Sequence, residues 1–140
     1  MTMTSMTTNL MVADVAAAVQ FYEDLLGFAV VDSVQAPDET LQFAILANDD
    51  LLLMLQKRES LMAEYPTLAT DVVKPSITLY CQIDDFEAFY QNIKASYPIL
   101  TEVHTTFYGS QEFAIADVDG YVLTFSFCTE DLLLSTFFIV

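Results

Sequence analysis

Few side chains in this chain are placed to do covalent, acid–base or metal chemistry. His104 is its one histidine, the residue type whose charge changes near neutral pH, and no partner that would orient it can be identified from the sequence. Cys81 and Cys128 show no short metal-type spacing and are too few for a disulfide framework, so reduced thiols are expected. Asp14 and Asp85 precede helical patterns, and Asp117 and Asp119 sit in turn sequence, so these carboxylates read as caps and turn formers before anything catalytic. No catalytic residue is therefore assigned. Aromatic side chains remain: Phe43, Tyr80, Phe107, Tyr108 and Phe113 would either clamp a ring or a cation by stacking, or fill the core.

The elements that position these residues come in two copies. Val12-Ala13-Asp14-Val15 opens a helical pattern holding Phe21-Tyr22, and 71 residues on, Ile83-Asp84-Asp85-Phe86 opens another holding Phe89-Tyr90. Gln42-Phe43-Ala44-Ile45 returns 70 residues later as Glu112-Phe113-Ala114-Ile115. Strands are expected over Thr7 to Ala13 and Ile77 to Asp84, and each is followed by a helix. The first buries Val15, Val19, Tyr22 and Leu26 and stops at Gly27; the second buries Phe86, Phe89, Tyr90, Ile93 and Tyr97 and stops at Pro98.

Three strand-like runs follow each helix. They are Phe28 to Gln35, Leu41 to Ala47 and Leu51 to Lys57 in the first copy, then Ile99 to Thr106, Gln111 to Asp117 and Tyr121 to Cys128 in the second. The order is βαβββ, twice. The 140 residues are expected to form one α+β domain, with a first module at about 6–58, a linker with a short helix at about 59–75, a second module at about 76–128 and an apolar tail at 129–140. That tail must pack, either on its own sheet or across a dimer interface.

Alternation sorts the strand faces. Leu10 and Val12, Leu51, Leu53 and Leu55, Ile77, Leu79, Cys81 and Ile83, and Leu123, Phe125 and Phe127 belong under the helices. Their alternates are Thr7, Asn9, Met11, Met54, Gln56, Thr78, Tyr80, Thr124 and Ser126, a face that is moderately polar and uncharged. Such a face suits the inner wall of a ligand-holding cup, with the helices on the convex side of a cupped mixed sheet.

Twenty carboxylates against four Lys plus Arg give a net charge of −16, which repels nucleic acid and favours cationic ligands. The mean hydropathy of +0.44 points to surplus apolar surface, for which a homodimer is the simplest cover. No apolar run is long enough to cross a bilayer and no leader pattern stands at the start, so a cytoplasmic protein with no membrane partner is expected.

Two stretches, VADVAAAVQFYEDLLGF at 12–28 and FYGSQEFAIADVDGYVLTFS at 107–126, resemble the glyoxalase/bleomycin-resistance/extradiol-dioxygenase group, the vicinal oxygen chelate superfamily. The resemblance implies paired βαβββ modules, usually in a dimer. It also implies, in metal-dependent members, ligands on the first and fourth strands of each module. Those positions hold Thr7, Met54, Thr78 and Thr124 here, none a normal ligand for a divalent metal. The reading that follows is a metal-free, cofactor-free binder of the bleomycin-resistance type, sequestering an aromatic or cationic small molecule. Thr7, Asn9, Met54, Gln56, Thr78, Tyr80 and Thr124 would line its wall, and Phe43, Phe107, Tyr108 and Phe113 would serve as clamps. A glyoxalase-like lyase, isomerase or dioxygenase is the alternative, and a noncatalytic interaction module the third.

Overall fold

The computed structural model of the chain describes residues 1–127, so Cys128 and the tail at 129–140 lie outside the described residues. The chain divides into two units, Met1–Pro75 and Ser76–Val140, with the boundary between Pro75 and Ser76. Each carries one βαβββ set, and together the described residues form two four-stranded mixed sheets with three α-helices, an α+β fold.

In the first unit β1 (Thr8–Val12) leads into α1 (Val15–Leu26), and β2 (Ala29–Gln35), β3 (Leu41–Asn48) and β4 (Leu51–Lys57) follow. The sheet order is β1-β4-β3-β2, with β1 parallel to β4 and the remaining neighbours antiparallel. Both ends of α1 follow from local chemistry. Asp14 accepts the Ala17 N–H at 3.1 Å, and Gly27, at φ 71°, takes the left-handed conformation that closes the helix. Asn48 then donates to the Leu26 carbonyl at 2.8 Å, satisfying one more open group at that end. Val15, Ala18, Val19, Phe21 and Tyr22 of α1 are buried, as are Leu10, Val12, Leu53 and Leu55 of the sheet, whereas Leu51, Ile77 and Phe127, expected under the helices as well, are exposed because they stand at or just beyond strand ends. Burial of each large member stabilises the fold by about 1.5–3 kcal/mol relative to exposure.

The second unit repeats the plan with β5 (Thr78–Gln82), α3 (Phe86–Ser96), β6 (Thr101–Thr105), β7 (Gln111–Ala116) and β8 (Val122–Phe127), in the order β5-β8-β7-β6. Its core is aromatic: Phe113 lies 5.5 Å from Phe86, 5.1 Å from Tyr90 and 5.2 Å from Phe125 between ring centroids. One expected cap is absent. Asp85 makes no capping bond to α3; its own N–H is taken by Asp84 Oδ1 at 2.8 Å, and its φ/ψ of −100°/64° turns the side chain out of capping geometry.

Between the repeats, α2 (Arg58–Glu64) begins directly at the end of β4, and a 3₁₀ turn, Pro66–Leu68, follows. Arg58 folds this segment back on itself, donating to the Thr70 carbonyl at 2.5 Å and to Glu59 at 2.8 Å. The segment at about 59–75, with the short helix expected there, falls within the first unit. No helix among the described residues is long and apolar enough to cross a membrane.

Candidate functional site

The face of the second sheet turned away from α3 carries one feature that the sequence reading did not assign. β7 alternates Glu112, Ala114 and Ala116 against Phe113 and Ile115, and the register sets Glu112 beside Ser126 of β8 and His104 of β6. Glu112 is only 6% exposed. Tyr80 of β5 and Tyr108 of the β6–β7 turn both donate their phenol O–H to its Oε2, each at 2.6 Å.

Small residues make room for this convergence. Tyr80 is flanked in register by Thr124, and Thr124 by Ala114, so only short side chains stand in that row between β5 and β7. Tyr108 is aimed by a tight turn: the Gly109 N–H bonds the Thr106 carbonyl at 3.0 Å, Gly109 takes φ 84°, and the Ser110 N–H bonds Thr106 Oγ1 at 3.1 Å. The hydrogen bond to Glu112, and after it burial, pushes the Tyr108 phenol above its ordinary range, so Tyr108 keeps its proton and acts as a donor.

Among the described residues no cation pairs with this carboxylate. The described ion pairs are Arg58 with Glu59 and Lys94 with Glu102, and none reaches Glu112. His104 shares its face as cross-strand neighbour, yet its Nδ1 lies 3.0 Å from the Glu102 carbonyl and its ring is exposed. An ionised carboxylate removed from water and held only by neutral donors is unfavourable unless something positive completes it. Phe107, at 99% exposed the most open aromatic among the described residues, packs edge-on against Tyr108 at 4.9 Å beside this group.

The corresponding face of the first sheet has no carboxylate at that register position. Asn9 pairs with Met54 and Met11 with Gln56, and Phe43 occupies the place that Glu112 fills in the second unit. Asn9 donates to Gln56 Oε1 at 2.9 Å, while Gln56 Nε2 donates to Ser60 Oγ at 3.0 Å and Glu64 at 3.4 Å. Gln56, expected as a wall residue, is 8% exposed and ties α2 to the sheet. Thr7 stands one residue before β1 and is half-buried.

Of the residues expected to meet a ligand, Tyr80, Tyr108 and Thr124 are brought together around Glu112, with Thr78 one row away on β5 and Phe107 beside Tyr108. Phe113 is not among them. It is 0% exposed and lies on the α3 side. The 70-residue repeat pairs it with Phe43, but in register Ala44 matches Phe113 and Phe43 matches Glu112, an offset of 69 across these strands. One residue of slip moves a side chain to the opposite face. Glu112 had its own signal: it is the charged position of β7, followed there only by apolar residues. Cys81, the register partner of Phe125, faces α3, and burial pushes its thiol up to about 11.

The positions at which metal-dependent relatives carry ligands do not fit a divalent transition metal. Thr78 pairs with Val122, Thr124 with Tyr80, and Met54 with Asn9, which supplies hydroxyl, amide and thioether groups and no imidazole or carboxylate. Among the described residues no three His, Cys, Asp or Glu side chains gather where they could hold a metal ion.

Comparison with known proteins agrees with this architecture. Among solved structures, a glyoxalase-related enzyme from Fulvimarina pelagi superposes with a TM-score of 0.71 at 18% identity, over 90% of this chain and 89% of that one. A lactoylglutathione lyase from Agrobacterium tumefaciens gives 0.66 at 20% identity, over 87% and 91%. TioX from Micromonospora sp. ML1 gives 0.64 at 16%, over 86% and 95%. At these identities the likeness is one of fold. No curated protein sequence matches the chain. The family model for the glyoxalase/bleomycin resistance protein/dioxygenase superfamily matches residues 5–125, both βαβββ sets included, and the chain belongs to that superfamily.

Proposed function

We propose that this protein is a ligand-binding member of its superfamily that captures a small organic cation, preferably an aromatic one, at Glu112 without a metal ion. The observation that carries the reading is a carboxylate 94% removed from solvent, held by two phenols and lacking any described cationic partner. A positively charged ligand would supply the missing charge, and Phe107 and Tyr108 would offer ring faces to an attached aromatic group. The net charge of −16 raises the local concentration of cations and disfavours anions.

The mechanism is stoichiometric capture, so a host exposed to a toxic cationic compound would gain resistance in proportion to the amount of protein. The same reading takes the protein as a cytoplasmic homodimer. The exposed valines of β2, Val31 at 60% and Val34 at 51%, are the apolar surface that a second copy would cover. A glyoxalase-like enzyme would require metal ligands that the four family positions do not offer, and metal analysis of protein purified without chelators tests that alternative directly.

Calorimetric titration with benzylammonium, benzyl alcohol and benzoate tests the cation site. A charge-assisted hydrogen bond contributes about 1.5–3 kcal/mol, so benzylammonium should bind at least about tenfold tighter than the alcohol, and benzoate should not bind. Glu112→Gln should erase the preference without lowering Tm, because it removes an uncompensated buried charge while leaving an oxygen to accept both phenols. Equal affinity for the three probes would overturn the proposal.

A further inference from the structure

Resting on that reading, we infer that the preferred cation is a protonated amine giving a single N–H to Glu112 Oε1, and not an amidinium or guanidinium. A carboxylate has two oxygens with about four lone-pair directions between them. Here both described hydrogen bonds end on one oxygen: Tyr80 and Tyr108 each donate to Oε2 at 2.6 Å, and no described residue bonds Oε1. The lone pairs of Oε2 are therefore filled before any ligand arrives.

Planar two-nitrogen cations bind carboxylates through two parallel N–H bonds, one to each oxygen. Such a fork meets an occupied Oε2 and must expel a phenol or bind by one arm. An ammonium has no such requirement. Its compact tetrahedral head can give one N–H to Oε1 while both phenols stay in place. The two tyrosines are held by separate elements, β5 and the β6–β7 turn, so neither yields by a shared small motion. Burial of Glu112 to 6% exposure further favours a small cationic head over a broad planar one.

Calorimetry of the full chain with benzylammonium and benzamidinium, which share a ring and a charge and differ in the head, is the test. Benzylammonium should bind about tenfold tighter, the equivalent of one charge-assisted hydrogen bond. Tyr108→Phe empties one lone pair of Oε2, so benzamidinium should gain and the gap should close to within about threefold. Tyr80→Phe asks the same question from β5, and keeps the test open if the first variant does not fold. Binding of both probes with benzamidinium equal or tighter would overturn the inference and leave the cation site standing, as would an unchanged gap in both folded variants. Failure of both probes to bind better than benzyl alcohol would instead remove the cation site itself.

Discussion

At the residue scale the chemistry of this protein is decided by which groups burial has changed. Cys81 faces α3, and its thiol is raised from 9.0 to about 11 by desolvation, so at pH 8 its thiolate fraction is roughly a hundredfold below that of a free peptide thiol. Alkylation by iodoacetamide, followed at the Cys81 peptide by mass spectrometry, should be slower than in unfolded chain by at least that factor. Tyr97 is raised too, by burial and then by Asp117, and Tyr108 by its bond to Glu112 and then by burial. The folded state holds all three protons more tightly than the unfolded chain does. For Cys81 the stabilising contribution is therefore complete below about pH 9 and lost as pH rises through about 11, and the two raised phenols add to the loss in the same direction at higher pH, so thermal melts should show Tm falling as the solution is made alkaline. A Tm that held or rose there would contradict these environments.

At the scale of elements, the two copies of one motif are held by different local devices. Asp14 caps α1 through the Ala17 N–H, whereas Asp85 makes no such bond to α3. Asp14→Ala should therefore cost about 1 kcal/mol of stability, and Asp85→Ala less than about 0.3 kcal/mol, in urea unfolding with the m-value unchanged. Gly27→Ala should also cost about 1 kcal/mol, because the site needs φ 71°; the space is not the obstacle, since an added Cβ would meet only Asn48 Nδ2 at 3.7 Å. Both aspartates look alike in sequence, and both precede a helix. They differ locally: Asp84, where the first copy has Ala13, accepts the Asp85 N–H, and the Asp85 backbone stands at φ/ψ −100°/64° where Asp14 is extended at −139°/107°.

At the scale of the whole molecule, charge dominates. With 20 carboxylates against four basic side chains the folded chain repels itself, and screening should relieve this. Raising NaCl from about 0.01 M to about 1 M should lift Tm by at least about 2 °C, and a flat or falling Tm would show that the acids are already compensated. Much of the architecture was legible in the residues themselves. The repeat, the helix ends at Gly27 and Pro98 and the helix-facing strand sets follow from periodicity and backbone sterics, which are local properties. The candidate site was legible only in part. Tyr80 and Thr124 followed from alternation, but Phe113 stayed open between clamp and core and Glu112 was not assigned, because repeat spacing does not report strand register and one residue of slip inverts a face. By itself the sequence determined the order of the elements, the apolar sets beneath the helices and the sign of the surrounding field, all of which depend on residue type and near neighbours. Only tertiary structure decided that one carboxylate of twenty would be buried between two phenols 32 and four residues away, because convergence of side chains from separate strands depends on register and on the short side chains left between them.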